Sequence, residues 1–163
     1  MKNEQLVLRY EYNIWANERI MNHLKSLPDG IFAKEVDLGF KSIAEVITHL
    51  ISADEVWFAR IKGESPPPLT RTPFTNIEEA SSYQNKLQTQ ILEFLLSTDD
   101  IDNIVNYSNT RGEKFQNSIL EIIQHVVNHG TYHRGNISTI LNSLGYKGIL
   151  TDYIAYLRKE FLK

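Results

Sequence analysis

The chain has 163 residues, of which 42% are hydrophobic and 23% charged, with a formal net charge of −3 and no cysteine. These values fit one globular domain over residues 1–163 with a core of ordinary size, and a balance this acidic, with no Lys/Arg run, argues against a nucleic-acid partner. Without cysteine, disulfides and thiolate metal ligands are excluded, so any ion must be held by imidazole, carboxylate, carbonyl or water.

In chain order, the start Met1-Lys2-Asn3-Glu4-Gln5 lacks the apolar stretch of a signal peptide, and no later run is as long as a membrane span. A cytoplasmic protein with no membrane partner is therefore expected. A first helix is predicted from about Glu4 to Leu27, where Leu6, Val7, Tyr10, Ile14, Trp15, Ile20, Met21 and Leu24 recur mostly at three- and four-residue steps. Pro28-Asp29-Gly30 stops it. A second helix begins near Ser42, an N-cap candidate with Glu45 at the capping-box position, and reaches about Lys62. Gly63 and Pro66-Pro67-Pro68 then force an extended linker. A third helix spans about Asn76 to Ser97 with Thr75 as its cap. Its sparser apolar row, Tyr83, Leu87, Ile91 and Leu95, marks it as the most solvent-exposed of the set. Ile104 to Phe115 partly alternates apolar and polar residues around Asn109-Thr110-Arg111-Gly112, which predicts a small hairpin. A fourth helix runs from about Asn117 to Leu144, where Gly145 stops it, and a short amphipathic tail covers Thr151 to Leu162. Four long helices in so short a chain predict an all-α fold, a four-helix bundle with a hairpin between helices three and four and a short C-terminal helix.

The fourth helix also carries the chemistry. His125, His129 and His133 are three of the five histidines in the chain. Side chains four residues apart project from adjacent turns of one helix face, so two such imidazoles can reach one ion. At roughly 100° per residue, Ile119, Ile122, Ile123, Val126, Ile137, Ile140, Leu141 and Leu144 form an apolar arc. His133 falls inside that arc, His129 on its shoulder, and His125 at the edge of the polar face. A buried imidazole needs partners for both ring nitrogens. One such ring finds a carbonyl and a hydroxyl; two of them one turn apart leave a metal site and plain core polar groups as evenly matched readings. A metal would need a third ligand from another helix. His23 lies near the Pro28 turn and reads as a surface residue. His49, off the main apolar stripe of the second helix but near Val46, Ala53 and Val56, is a possible ligand, although periodicity alone leans towards a half-exposed flank residue.

His49-Leu50 followed by Ala53-Asp54-Glu55-Val56-Trp57, together with His125-Val126-Val127-Asn128-His129-Gly130-Thr131-Tyr132-His133-Arg134-Gly135, resembles the DinB-like metal-binding proteins. Their wider superfamily includes the thiol-dependent S-transferases that use bacillithiol or mycothiol. Trp15-Ala16-Asn17 and Asp152-Tyr153-Ile154-Ala155-Tyr156-Leu157-Arg158 are similar to family segments as well, so the resemblance covers the whole chain. It implies an up-down-down-up course, a homodimer, and a divalent ion held by His49, His129 and His133. His125 matches a common family residue that is not a ligand. Asn136 stands where relatives more often have glutamine, a departure expected to bear on substrate contacts or packing and not on the ion. Asp54 projects into the apolar stripe of its helix and reads as a structural partner of Arg134 or Asn17.

Three neutral imidazoles leave a coordination position open, as in catalytic zinc sites. Zinc or nickel is the first expectation, with manganese or iron also compatible. The resemblance implies a metal-dependent transferase in which a low-molecular-weight thiol attacks an electrophilic small molecule; a chain with no cysteine needs such a cosubstrate for thiol chemistry. The alternatives are a metal-dependent hydrolase and a non-catalytic metal-binding or stress-associated bundle. No acid or base is assigned: Tyr132 and Glu121 lie round the polar side, and Arg134 and Asn128 fit solvated or structural roles equally. An enzyme requires a cleft leading to the open position. Tyr10, Tyr12, Trp15, Tyr153 and Tyr156 are expected first as core or interface and second as the lining of such a cleft.

Overall fold

A computed structural model describes residues 2–69, 71–109 and 111–158. Its elements are α1 (Lys2–Lys25), α2 (Ile43–Ile61), α3 (Ile77–Ser97), β1 (Ile104–Ser108), β2 (Lys114–Ser118), α4 (Ile119–Ser143) and a short α5 (Tyr153–Leu157). Of the predicted tail, residues 159–162 lie outside the described ones. Among the described residues no helix is long and apolar enough to cross a membrane.

Side-chain pairings fix the direction of each helix. Lys25 at the end of α1 meets Glu78 at the start of α3 at 2.9 Å, so these two run antiparallel. Arg9 bonds Gln124 at 2.8 Å and His23 meets the Lys147 carbonyl at 2.8 Å, so α1 and α4 run parallel. Tyr83 donates to Glu55 and Phe94 packs on Phe58, which makes α2 and α3 parallel. Trp57 lies against His125 while His49, two turns earlier, lies against His133, so α2 and α4 are antiparallel. The four-helix bundle therefore has the expected up-down-down-up course. Leu6, Tyr10, Ile47, Ile51, Leu95, Ile122, Ile137 and Leu141 fill its centre, each under 2% exposed. Burying an aliphatic or aromatic side chain fully stabilises the fold by about 1.5–3 kcal/mol.

The caps differ from expectation in detail. Ser42 caps α2, accepting from Glu45 N at 3.2 Å, but the Glu45 carboxylate turns back to Lys41 N instead of closing a box. Asn76, not Thr75, caps α3, its side-chain oxygen accepting from Glu79 N at 2.8 Å. On α3, Gln84 and Gln88 are each 2% exposed, whereas Tyr83, assigned to the apolar row, is 36% exposed. The predicted hairpin forms, but its second strand runs past Phe115 to Ser118, so α4 begins at Ile119 and not Asn117. Ser118 then caps α4 in a full capping box with Glu121. In the turn, Asn109 Oδ1 accepts from Arg111 N and Glu113 N, and Gly112 takes φ +79°.

Between α1 and α4, Gly130 faces Asn13. A Cβ at Gly130 would stand 2.6 Å from Asn13 Oδ1 and 2.9 Å from Arg134 Nη1, atoms held 2.8 Å apart in a buried hydrogen bond. Gly130→Ala gains roughly 1 kcal/mol of helix propensity. Breaking a buried, charge-assisted bond costs about 1.5–3 kcal/mol. Urea unfolding is expected to show a net loss, and a variant as stable as wild type would contradict this account of the contact.

Candidate metal centre

α2 supplies His49 and α4 supplies His129 and His133. His129 Nε2 lies 3.2 Å from His49 Nε2 and 3.0 Å from His133 Nε2. One ring nitrogen from each of the three falls within 4.8 Å of the others. His133 is 6% exposed and the other two are half-buried. Burial, then the neighbouring His133, His49 and His125, lowers the His129 pKa to about 4. Burial and His49 lower that of His133 to about 4, and burial lowers that of His49. Near neutral pH the rings are therefore uncharged, with lone pairs available. His129 Nε2 carries at most one proton yet faces two other Nε2 atoms, so the rings cannot fully satisfy one another. Nitrogens bound tetrahedrally at zinc distances stand about 3.3 Å apart. The donor set fits a divalent ion.

Around the rings the structure places side chains that the sequence reading missed. Phe40, from the loop before α2, lies edge-on to His133 with centroids 5.4 Å apart and tilted against His49 at 5.6 Å. Tyr132 stands edge-on to His133 at 5.0 Å on the other side. With Leu38, Asn136 and Ile140 these residues line a cleft of about 280 Å³ beside the centre. Nothing in the local sequence of Phe40 announces this role, because it depends on how the 26–42 connection folds back.

Asn136 had a legible signal, since it sits three residues after His133 on the same helix face. Its amide group lies 3.1 Å from His133 Nδ1. For His133 Nε2 to offer its lone pair, Nδ1 must hold the proton and donate it to an oxygen, which a half-turn of the amide provides. The departure from glutamine, expected to bear on substrate contacts or packing, thus falls on a side chain that touches one of the three histidines. Asn136→Leu is expected to weaken metal affinity about 10–100-fold. Competition against a chromophoric chelator measures it, and an unchanged affinity would remove Asn136 from the centre's support.

His125 stays exposed, stacked on His129 at 5.7 Å and edge-on to Trp57 at 5.0 Å, outside the group of three. Asp54 is 4% exposed; burial raises its pKa to about 7, with Arg134 pulling it down and Glu55 pushing it up. Arg134 acts on Asp54 through space, while its hydrogen bonds go to Asn13, Asn17, Thr131 and Tyr12. Tyr12, Trp15, Tyr153 and Tyr156 cluster with one another and seat α5 on α1, and Tyr10 is wholly buried. They line no part of the cleft at the histidines.

These features define a class: helical bundles with a three-imidazole group between the second and fourth helices, flanked by a cleft whose lining includes the side chains packed on His133. Residues 1–161 match the sequence model of the DinB family, and the chain belongs to that family. It is 34% identical to the protein DinB of Bacillus subtilis (strain 168) over 156 residues, covering 91% of each chain. It is also 20% identical over 147 residues to YizA of the same organism, covering 89% of this chain and 91% of that one. A solved DinB-like protein from Bacillus cereus ATCC 10987 shares the fold, with a TM-score of 0.71 at 16% identity over 90% of this chain and 95% of that one.

Proposed function

We propose that His49, His129 and His133 bind one divalent ion, zinc or nickel first, and that the protein is a metal-dependent transferase joining a low-molecular-weight thiol to an electrophilic small molecule. The observation that carries this reading is the convergence of three uncharged imidazoles from two antiparallel helices beside a cleft of about 280 Å³. A purely structural centre would be closed by a fourth protein ligand. Among the described residues the His/Asp/Glu group holds three members, and Phe40 and Tyr132 flank it without offering a fourth. When bound, such an ion supplies Lewis acidity that lowers the pKa of a thiol. The protein's own contribution is to keep three imidazoles neutral by burial and to hold the His133 ring through Asn136. Leu38, Phe40 and Ile140 give the cleft an apolar wall, which suits an electrophile with an apolar body.

Elemental mass spectrometry on untagged protein purified without added metal is the first test, with His49→Ala beside it. About one ion per chain, lost in the variant, supports the centre. Loss of free thiol in the presence of an electrophile such as 1-chloro-2,4-dinitrobenzene, seen with loaded protein and absent after chelation, supports the transferase. Metal without thiol consumption across a panel of small thiols would return the protein to the non-catalytic reading. The homodimer is proposed too. Leu150, Ile154 and Leu157 in the C-terminal segment are 54%, 52% and 47% exposed, apolar surface suited to a second copy. A monomer in sedimentation equilibrium at micromolar concentration would overturn it.

A further inference from the structure

A larger cavity, about 520 Å³, lies on the other flank of α4, floored by α1 and roofed by residues 149–153. Thr131 on its wall falls roughly 200° round the helix from His129, so this cavity and the histidine centre face opposite ways. Its charged lining consists of two guanidiniums, Arg9 and Arg134, and one carboxylate, Asp152, which is exposed just before α5.

Arg134 is the unusual member. It is 2% exposed, and every hydrogen-bond partner it has is a neutral oxygen. Nη1 donates to Asn13 Oδ1 and Asn17 Oδ1 at 2.8 Å each, on the side away from the cavity. Nη2 donates to Thr131 Oγ1 at 3.0 Å and reaches Tyr12 OH only at 3.5 Å, the limit of a hydrogen bond, and both of these side chains line the cavity. Nε has no partner. A buried cation without a hydrogen-bonded anion is costly, and a guanidinium is built to hold two oxygens of an acid at once. Arg9 approaches the same space and is held by Gln124 Oε1 at 2.8 Å, another neutral acceptor. The rest of the wall includes Val127, Ile149 and the Tyr153 ring, so polar and apolar surface meet in one chamber of ligand size.

We propose that this cavity binds a small organic acid, its carboxylate taken by the Nη2 edge of Arg134 together with Arg9, and its apolar body laid against Val127, Ile149 and Tyr153. The inference is independent of the metal centre. The acid replaces the stretched Tyr12 contact with a charge-assisted one and gives the buried cation a hydrogen-bonded anion, whereas Asp54 acts on it only through space. Asp152 at the rim disfavours acids with a second negative group at the outer end.

The test uses octanoate, with 1-octanol as its uncharged counterpart, followed by amide shifts of the 15N-labelled full chain. Octanoate is expected to shift amides in 127–135 and 149–153 in a saturable way, and 1-octanol to bind at least about tenfold more weakly, a difference worth about 1.4 kcal/mol. Arg9→Met is expected to weaken octanoate about tenfold, and Thr131→Val, which frees the Nη2 proton without disturbing the Asn13 and Asn17 bonds, to leave or tighten it. His129→Ala is expected to leave octanoate affinity unchanged, which separates this site from the metal. Equal binding of 1-octanol, no saturable shift with octanoate, or undiminished affinity in Arg9→Met would each overturn the proposal. So would cavity amides that respond only to protein concentration, because a second copy would then be the occupant.

Discussion

Replacing His129 by alanine is expected to remove stoichiometric binding of a divalent ion while leaving the bundle folded. His129 is the hub of the centre: its Nε2 is 3.2 Å from that of His49 and 3.0 Å from that of His133. Without it, one ring on α2 and one on α4 face each other, and two ligands do not complete a site that uses three or four. Loss of one half-buried imidazole costs its ring contacts with His133, His49 and His125, none of which belongs to the hydrophobic core, so helical circular dichroism should be retained. His125→Ala is the informative control. It lies one turn before His129 and touches the same ring, yet it is exposed and outside the converging group. Its removal should leave about one ion per chain. Equal losses from His125→Ala, His129→Ala and His133→Ala would mean that the α4 ladder binds metal as a surface strip, and the assignment of His49 would fail with it.

The same ladder shows how far the sequence could be followed. Apolar spacing located the four helices and turned His133 inward, because period 3.6 is a property of the backbone and needs no tertiary information. Helix ends were less legible. The cap of α3 moved from Thr75 to Asn76, and α4 lost its first two expected residues to β2, because strand pairing with β1 claims residues 114–118 and leaves Ser118 as the cap. His49 was undecidable from its own helix. It became part of the centre only when α2 and α4 packed antiparallel and brought it within 3.2 Å of His129. Phe40 was invisible for the same reason, being set by the course of a long connection. Tyr83 on α3 reversed its expected burial, the aromatic ring being drawn outward to donate to Glu55 and pack under Arg71. Polar partners thus overrode hydropathy where a long-range contact was on offer.

A second large effect is expected from pH. Metal-free protein should be most stable near pH 7 and lose stability as the pH falls towards 4. His129 and His133 each have a pKa of about 4 in the fold, against 6.5 ordinarily. In that window the unfolded chain takes up two protons that the fold refuses, so acid favours unfolding. Asp54 works the other way. Its pKa of about 7 exceeds the ordinary 3.8, so the fold holds a proton that the unfolded chain releases, and acid favours folding. Two histidine protons against one from Asp54 leave a net uptake of one on unfolding. From these three groups that corresponds to a slope of about 1.4 kcal/mol per pH unit, and the lowered pKa values of His49 and His125 act in the same direction. Around pH 7 the unfolded histidines give up most of their protons while Asp54 loses its own in the fold, so the profile should level off there. Asp54→Asn deletes the opposing proton and should steepen the acid slope, provided the amide keeps its place near Arg134. Urea unfolding in the presence of a chelator, from pH 4.5 to 7.5, measures both slopes. A flat profile in the wild type would mean that the histidines take up protons in the fold as readily as out of it, and the neutral lone pairs required by the metal centre would then have to be created by the ion itself. A wild-type slope matched by Asp54→Asn would instead remove Asp54 from the balance and leave the histidines alone responsible.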